Sequence, residues 1–234
     1  MSGILISFDG IDSSGKETQA KILLKRVEAT GRPVGFFQTP DYTTNSGIKL
    51  KRLFQGQDGS WDNLAWPEKM RLIAANRSEH KNEVLSLLQQ DGIVIYDRYV
   101  PSSIAHMMAD ALDAKPAEID RHTIKTQVED HEYGHHQMPH ENLSIFLDLS
   151  PVQAASLLHI RKQRLGEADE TTDRIDLQER IYQSYHWLVN TFPDRCTKIA
   201  CVENNQLLTI DAIANKVWQS VTLRFSVLNN ARPL

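Results

Sequence analysis

The chain has 234 residues, of which 41% are hydrophobic and 24% charged, and its 26 basic and 30 acidic side chains give a formal net charge of −4. This composition is typical of a folded globular protein and excludes collagen-like and disordered classes. A slightly acidic chain also argues against a nucleic-acid partner. Because no run approaches the roughly 18 apolar residues of a membrane span, we expect no membrane partner and a cytoplasmic protein. The length of the chain, without an internal repeat or a low-complexity linker, predicts one domain over residues 1–234.

Short apolar runs alternate with helical patterns along the chain. Strands are predicted at Ile4–Phe8, Val34–Phe37, Ile93–Tyr96, Leu143–Leu147 and Lys198–Val202. Helices are predicted around the stripe Ala20–Val27, over Pro67–Gln90, Val152–Arg164 and Ile175–Val189, and around the stripe Ile210–Val217. This alternation predicts an α/β fold with three layers and a mostly parallel, five-stranded sheet.

A glycine-rich turn joins the first predicted strand to the first helix. It matches G-x-x-x-x-G-K at every position except the last, where Glu17 replaces the usual Ser or Thr. The glycines let successive backbone N–H groups point inward, the helix N-terminus adds its dipole, and Lys16 supplies a charge to the β- and γ-phosphates. The predicted ATP-binding residues are Gly10, Ile11, Asp12, Ser13, Ser14, Gly15, Lys16, Glu17 and Thr18.

The Mg²⁺ that accompanies ATP is harder to place in this loop. A hydroxyl at the position of Glu17 ordinarily ligates the metal, and a carboxylate there repels phosphates unless a cation lies between them. Thr18 is rotated by about 100° around the helix and does not simply replace that hydroxyl. We therefore predict the metal ligands among Asp12, Glu17 and Asp97.

Three motifs carry a resemblance to a known family. The segments Phe8–Gln19, Ala75–His80 and Tyr96–Ser103 resemble, in order and spacing, those of the thymidylate kinase family, and the similarity runs from about residue 3 to 220. The resemblance implies a P-loop NTPase fold, MgATP as phosphoryl donor, thymidylate as acceptor and a homodimer. Three alternatives stay open: another nucleoside monophosphate as acceptor, a P-loop ATPase, and a nucleotide-binding protein without kinase activity.

Asp97 and Arg98 follow a predicted parallel strand, at the edge where open α/β sheets bind their ligands. A guanidinium can fork across two phosphate oxygens, and the resemblance implies that Arg98 bridges the acceptor phosphate and the transferred group. Asp97 would orient Arg98 or hold a metal-bound water. Asp12 would contact the acceptor sugar or the magnesium ion.

Further residues are assigned to the acceptor by resemblance. Thr39 and Tyr42 would lie near its phosphate and sugar, and Arg77 would contact its base or phosphate. The family's stacking aromatic ring would fall at Ile73, and polar or aromatic groups at Ser103 and His106. Because Ile73 lacks a ring-on-ring contact of about 1 kcal/mol, another pyrimidine or deoxynucleotide is an open alternative to thymidylate.

Residues 161–174 are predicted to form a flexible flap, called the LID, whose closure would exclude water from the bound nucleotides. Ser13 occupies a loop position where some family members carry an arginine, and members without it draw the cation from the LID. Arg161 and Arg164 are therefore predicted to be catalytic, with Arg174 as a further candidate. An arginine of this kind contributes roughly 10³ to 10⁵ in rate to related phosphoryl transfers.

A competing motif spells H-E-x-x-H at residues 131–135, the signature of zinc peptidases. That function needs both histidines on one helix face, but Gly134 lies inside the segment and Pro139 soon ends it. We therefore disfavour a peptidase, while metal binding by neighbouring histidines stays open. These histidines are His131, His135, His136 and His140.

Overall fold

The computed structural model describes residues 3–114, 120–165 and 175–228. The strands of its main sheet are β1 (Ile4–Asp9), β2 (Val34–Gln38), β3 (Ile93–Asp97), β4 (Leu143–Asp148) and β5 (Cys196–Ala200). Its helices are α1 (Lys16–Glu28), α2 (Asn45–Phe54), α3 (Trp66–Ser78), α4 (Lys81–Gln89), α5 (Val100–Ala114), α6 (Arg121–Glu129), α7 (Pro151–Leu165), α8 (Ile175–Thr191) and α9 (Ile210–Arg224). A short hairpin, β6 (Val202–Glu203) and β7 (Gln206–Leu207), precedes α9. None of the described helices is long and apolar enough to cross a membrane.

The main sheet has the strand order β2-β3-β1-β4-β5, and all neighbouring strands are parallel. Every residue of β1 is buried, which means that helices cover both faces of the sheet. The predicted α/β fold with a five-stranded parallel sheet is confirmed. In the register of β1 and β3, Phe8 lies opposite Asp97, so the glycine-rich turn and the Asp97-Arg98 pair leave the sheet side by side.

Two predicted elements differ from the structure. The last strand begins two residues earlier than predicted and ends at Ala200, and the chain then turns into the hairpin. The single helix predicted over 67–90 is wrong, because α3 and α4 are separate. At the break, the amides of Glu79 and His80 donate to the carbonyls of Asn76 and Arg77, a tighter i→i+3 pattern that ends a helix.

The chain between β2 and α2 is packed tightly against the first turn of α2. Thr44 caps α2 by accepting a hydrogen bond from the Gly47 amide at 3.2 Å. A Cβ on Gly47 would lie only 1.7 Å from the carbonyl oxygen of Asp41. The backbone of this segment therefore approaches α2 at a distance that only glycine permits.

The substitution Gly47→Ala tests this close approach. Alanine normally stabilises a helix by up to about 1 kcal/mol relative to glycine, but here the clash should lower the free energy of unfolding by about 1–3 kcal/mol. Urea denaturation provides the measurement, and Lys49→Ala, at an exposed position of the same helix, provides the control. A Gly47→Ala variant as stable as the control would contradict the prediction.

Candidate active site

The glycine-rich turn between β1 and α1 forms a sharply bent loop. Gly10, Ser13 and Gly15 have positive φ angles of 145°, 61° and 89°. Gly15 also precedes the first turn of α1 without a side-chain cap, so the amides of that turn stay free of a capping side chain. Free amides at a helix N-terminus, together with the helix dipole, form a binding site for an anion.

The side chain of Lys16 lies inside this loop. Its Nζ donates to the carbonyl oxygen of Ile11 at 2.6 Å and contacts Ser14 Oγ at 3.5 Å, and the residue is buried. Burial lowers the pKa of Lys16 to about 7, and the nearby charge of Arg98 adds to this effect. An anion in the loop would restore the charged form of the ammonium, as the predicted contact to phosphate requires.

A cavity of about 330 Å³ opens beside the loop, lined by Lys16, Glu17, Thr18, Asp97 and Arg98 among others. The Glu17 carboxylate is paired with Lys21 at 2.5 Å on the surface of α1, and this pair offsets the repulsion that sequence analysis expects between Glu17 and phosphates. Asp97 is a better fit for Mg²⁺ or a metal-bound water. Its Oδ1 atom is buried without a hydrogen-bond partner, and burial raises its pKa despite the attraction of Lys16.

Arg98 lies between this cavity and a second one of about 260 Å³, and it lines both. Its backbone has a positive φ of 65°, an uncommon conformation for a non-glycine residue and one that clusters at functional sites. Its guanidinium donates to Asp12 Oδ1 at 2.5 Å and to the Gly10 carbonyl at 3.1 Å, and contacts His106 Nε2 at 3.3 Å. The carboxylate that orients Arg98 in this structure is therefore that of Asp12.

Asp12 is held by α8 as well as by Arg98. Its amide donates to Gln178 Oε1 at 3.0 Å, and Gln178 Nε2 donates to Asp12 Oδ2 at 2.8 Å. Burial alone would raise the pKa of Asp12, but Arg98 and Lys16 outweigh burial and lower it to about 2. The carboxylate is thus charged at neutral pH. Sequence reasoning assigned no role to Gln178, which follows the LID in the chain.

The second cavity contains all the residues predicted to bind the acceptor. They are Asp12, Thr39, Tyr42, Ile73, Arg77, Arg98, Ser103 and His106. Thr39 is buried and is followed by a cis peptide bond to Pro40, whereas Tyr42 is 42% exposed at the cavity mouth. The spatial grouping of these residues supports the predicted acceptor site.

Arg77 is the most deeply buried cation of the acceptor cavity. It is 1% exposed and pairs with Glu132, which is fully buried, and it also donates to the Tyr99 carbonyl at 3.0 Å and Ser103 Oγ at 3.1 Å. Burial would lower the pKa of the guanidinium, but the attraction of Glu132 raises it. A helical arginine is usually solvent-exposed. The burial of Arg77 in the lining of this cavity therefore favours the contact to the acceptor that the resemblance implies.

The partner of Arg77 is the glutamate of the H-E-x-x-H motif, which lies on a π-helix over Asp130–His135. A carboxylate that is fully buried against a guanidinium is not placed to activate water on a metal. The rings of His131, His135 and His136 lie 4.9–5.1 Å apart, yet no group of three or more potential ligand side chains in the described residues is arranged to hold a metal. The glutamate of the motif, Glu132, is therefore the counterion of Arg77 in the acceptor cavity.

The segment Thr39–Tyr42, which contains Asp41 and lines the acceptor cavity, is held in place by the end of α3. Asn76 Oδ1 accepts from the Asp41 amide at 2.8 Å, and His80 Nε2 lies 2.9 Å from Asp41 Oδ2. Glu79 Oε1 accepts from the Ser46 amide at 3.1 Å. The break between α3 and α4 thus holds the acceptor segment, a role that the helical periodicity does not reveal.

A buried carboxylate, Asp9, braces the base of the site. It accepts hydrogen bonds from Ser102 Oγ and Ser144 Oγ, both at 2.8 Å, and from Ser7 Oγ at 2.5 Å. Ser102 also bonds to Tyr185 of α8 at 2.7 Å. These contacts join β1, β4, α5 and α8 directly beneath the phosphate loop.

The predicted LID arginines cannot be placed. The backbone of α7 includes residues 161 and 164, but the side chains of Arg161 and Arg164 lie outside the described residues, as does Arg174.

Two cavities that meet at one guanidinium are what phosphoryl transfer between two nucleotides needs, because the donor and acceptor phosphates must approach each other against their own repulsion. The loop, its lysine and the parallel sheet therefore define a P-loop nucleotide kinase.

Comparison with known proteins agrees with this class. The thymidylate kinase family model matches residues 8–208. A thymidylate kinase of Bifidobacterium longum subsp. infantis is 28% identical over 94% of this chain and 85% of its own, and a probable thymidylate kinase of Pyrococcus horikoshii is 29% identical over 83% and 86%. The solved thymidylate kinase of Candida albicans has a TM-score of 0.66 and 26% identity, covering 94% of this chain and 92% of that one. The chain belongs to the thymidylate kinase family, whose activity is the phosphorylation of dTMP to dTDP with ATP.

The depressed pKa of Lys16 predicts that ATP binding takes up a proton. At pH 8.5 the free lysine is mostly neutral, and the bound phosphates favour its charged form, so binding should take up about one proton, and less as the pH falls toward 7. Isothermal titration calorimetry in buffers of different ionisation enthalpy measures this uptake. Lys16→Met should abolish it and Lys25→Met, at an exposed position of α1, should not, whereas equal uptake by wild type and Lys16→Met would refute the prediction.

The buried pair of Arg77 and Glu132 predicts a large effect on stability. Glu132→Ala leaves a buried guanidinium without its counterion and should cost about 3–5 kcal/mol of unfolding free energy. The double variant Arg77→Met/Glu132→Leu removes both charges and should recover much of that loss. Chemical denaturation measures both. The exposed Glu203, which pairs with Lys216, is the control, and Glu203→Ala should cost less than about 1 kcal/mol; a similar cost for Glu132→Ala would disprove the role assigned to the pair.

Proposed function

We propose that this chain transfers the γ-phosphoryl group of ATP to a pyrimidine deoxynucleoside monophosphate, with dTMP as the principal acceptor. The single observation that carries the proposal is the position of Arg98 between the two cavities. ATP would place its phosphates in the loop around Lys16. The acceptor would place its phosphate against Arg98 from the other side and its base toward Ile73 and Arg77.

The reaction follows from these positions. A phosphate oxygen of the acceptor attacks the γ-phosphorus of ATP, a new P–O bond forms, and the bond to the β-phosphate oxygen breaks and releases ADP. Lys16 and the loop amides stabilise the charge on the leaving side, and Arg98 the charge on the transferred group and the acceptor phosphate. Asp12, fixed by Gln178, keeps Arg98 in place. Arg161 and Arg164 are proposed to add positive charge from the LID.

We assign Asp97 as the protein group that interacts with Mg²⁺, through a bound water. Its unpartnered Oδ1 supports this assignment, whereas Glu17 is already paired with Lys21. When bound, the metal neutralises charge on the β- and γ-phosphates. In the absence of nucleotide, Asp97 contributes the negative charge that partly offsets Arg98 and Lys16.

The acceptor cavity supports dTMP without requiring it. Ile73 offers an apolar face to the base but not an aromatic stack, a difference of about 1 kcal/mol, less than tenfold in affinity. Ser103 is engaged by Arg77, and His106 by Arg98. We therefore propose measurable activity with other pyrimidine deoxynucleotides. The family resemblance further supports a homodimer, a cytoplasmic location and a single domain with a LID over about 161–174.

The deciding experiment incubates the chain with MgATP and a panel of ribo- and deoxynucleoside monophosphates and measures diphosphate formation against background ATP hydrolysis. Acceptor-dependent product, largest with dTMP, is expected. Lys16→Ala should lower turnover at least a thousandfold, a loss of about 4 kcal/mol of transition-state stabilisation, with an unchanged circular dichroism spectrum, and Lys25→Ala, at an exposed position of α1, is the matched control. Phosphate release without acceptor would instead indicate an ATPase, and no turnover a binding protein.

A further inference from the structure

The guanidinium of Arg98 has one contact that the reaction described above does not use. Its Nη2 donates to Asp12 Oδ1, while its Nη1 donates to the Gly10 carbonyl at 3.1 Å and lies 3.3 Å from His106 Nε2. Gly10 and Asp12 belong to the phosphate loop, whereas His106 belongs to α5 and lines the acceptor cavity. Arg98 is therefore tied both to the phosphate loop and to the helix beside the acceptor.

The contact with Arg98 fixes the chemical form of the histidine ring. A guanidinium has N–H donors on all three of its nitrogens, has no acceptor, and stays protonated in proteins. His106 Nε2 must therefore be the acceptor, which requires that this nitrogen carries no proton. The ring is thus neutral, with its proton on Nδ1. A proton on Nε2 would place one N–H donor against another.

His106 is carried by a part of α5 that is packed into the core. Its neighbours Ala105 and Met107 are 0% and 2% exposed, so the backbone that carries the ring has little freedom to move. The phosphate loop, in contrast, is the segment that nucleotide binding is expected to engage. A restraint from α5 therefore holds Nη1 of Arg98 independently of the loop.

The described contacts leave part of the guanidinium available to phosphate. Arginine has two N–H groups on each Nη and one on Nε. Gly10 and His106 are the two partners of Nη1, and Asp12 is a partner of Nη2. Among the described contacts this leaves one N–H on Nη2 and one on Nε for phosphate oxygens. Three anchors fix the plane of the guanidinium, and hence the direction of these two donors.

We infer that His106 is a positioning residue for Arg98. Its unprotonated Nε2 accepts from Nη1 and fixes the orientation in which Arg98 meets the phosphates, so that little reorientation is needed during transfer. This role differs from a direct contact of His106 with the base or the sugar of the acceptor. The inference rests on the proposed function and adds the residue that orients its central cation.

Two replacements of His106 test the need for an acceptor at this position. His106→Phe keeps a ring but cannot accept, and we expect it to lower kcat with dTMP at least tenfold, the effect expected for one hydrogen bond to a charged group. The KM for ATP should stay within twofold. His106→Gln supplies an amide oxygen as acceptor and should keep kcat within threefold of wild type. His122→Phe, at an exposed position of α6, is the control and should change neither constant.

The order of the two variants separates positioning from packing. If His106 only fills space, phenylalanine should be the better replacement and glutamine the worse one. That order of kcat values would overturn the inference.

Thymidine separates the phosphate from the rest of the acceptor, because it has the base and sugar of dTMP without the group that meets Arg98. Its inhibition constant against dTMP measures its affinity, and calorimetry measures that of dTMP. His106→Phe should weaken dTMP binding about tenfold and thymidine binding less than twofold. Equal weakening of both would assign His106 to the base or sugar and refute the inference.

A double variant tests whether His106 acts through Arg98. In the Arg98→Met background, His106→Phe should weaken dTMP binding by less than a further twofold, because the guanidinium that it orients is absent. A further tenfold loss would show a contact that does not involve Arg98 and would overturn the inference. If the wild type phosphorylates no monophosphate, the proposed function itself fails, whereas the binding measurements report on His106 separately.

Discussion

Phosphoryl transfer between two nucleotides requires like charges to be brought together, and the site is arranged around that electrostatic constraint. Arg98 is held by Asp12 and the Gly10 carbonyl at the point where β1 and β3 end side by side. Because those strands are parallel neighbours, the phosphate loop after one strand and the arginine after the other lie side by side at the same edge of the sheet. The positive φ of Arg98 turns its side chain from the strand into the boundary between the two cavities.

The charges of the site are balanced before any nucleotide binds. Lys16 and Arg98 face Asp12, Asp97 and Asp9, and the first two carboxylates respond in opposite directions: cations lower the pKa of Asp12, whereas burial raises that of Asp97. Arg77 has its own counterion in Glu132. Such pairing keeps buried cations from destabilising the free protein, and the oriented groups need little rearrangement when phosphates arrive.

The sequence was sufficient for the sheet and the phosphate loop, because both depend on local patterns: short apolar runs, a glycine-rich turn and an apolar helical stripe. It was insufficient where tertiary contacts decide. The break after α3 depends on bonds from Asn76, Glu79 and His80 to the distant Asp41 segment. Glu132 was noticed for a zinc chemistry it does not perform, since its pairing with Arg77 across 55 residues has no sequence signature. Gln178 likewise reaches Asp12 across 166 residues.

The donor and acceptor halves are built from separate parts of the chain. Within the described residues, the cavity beside the loop is lined by β1–α1, β3 and α7, the acceptor cavity mainly by α3, α5 and their neighbours, and Arg98 is the residue common to both. A substitution on α3 therefore changes the lining of the acceptor cavity without changing that of the cavity beside the loop. The two halves of the site can thus be altered one at a time, and Arg98 is the position at which a single change reaches both.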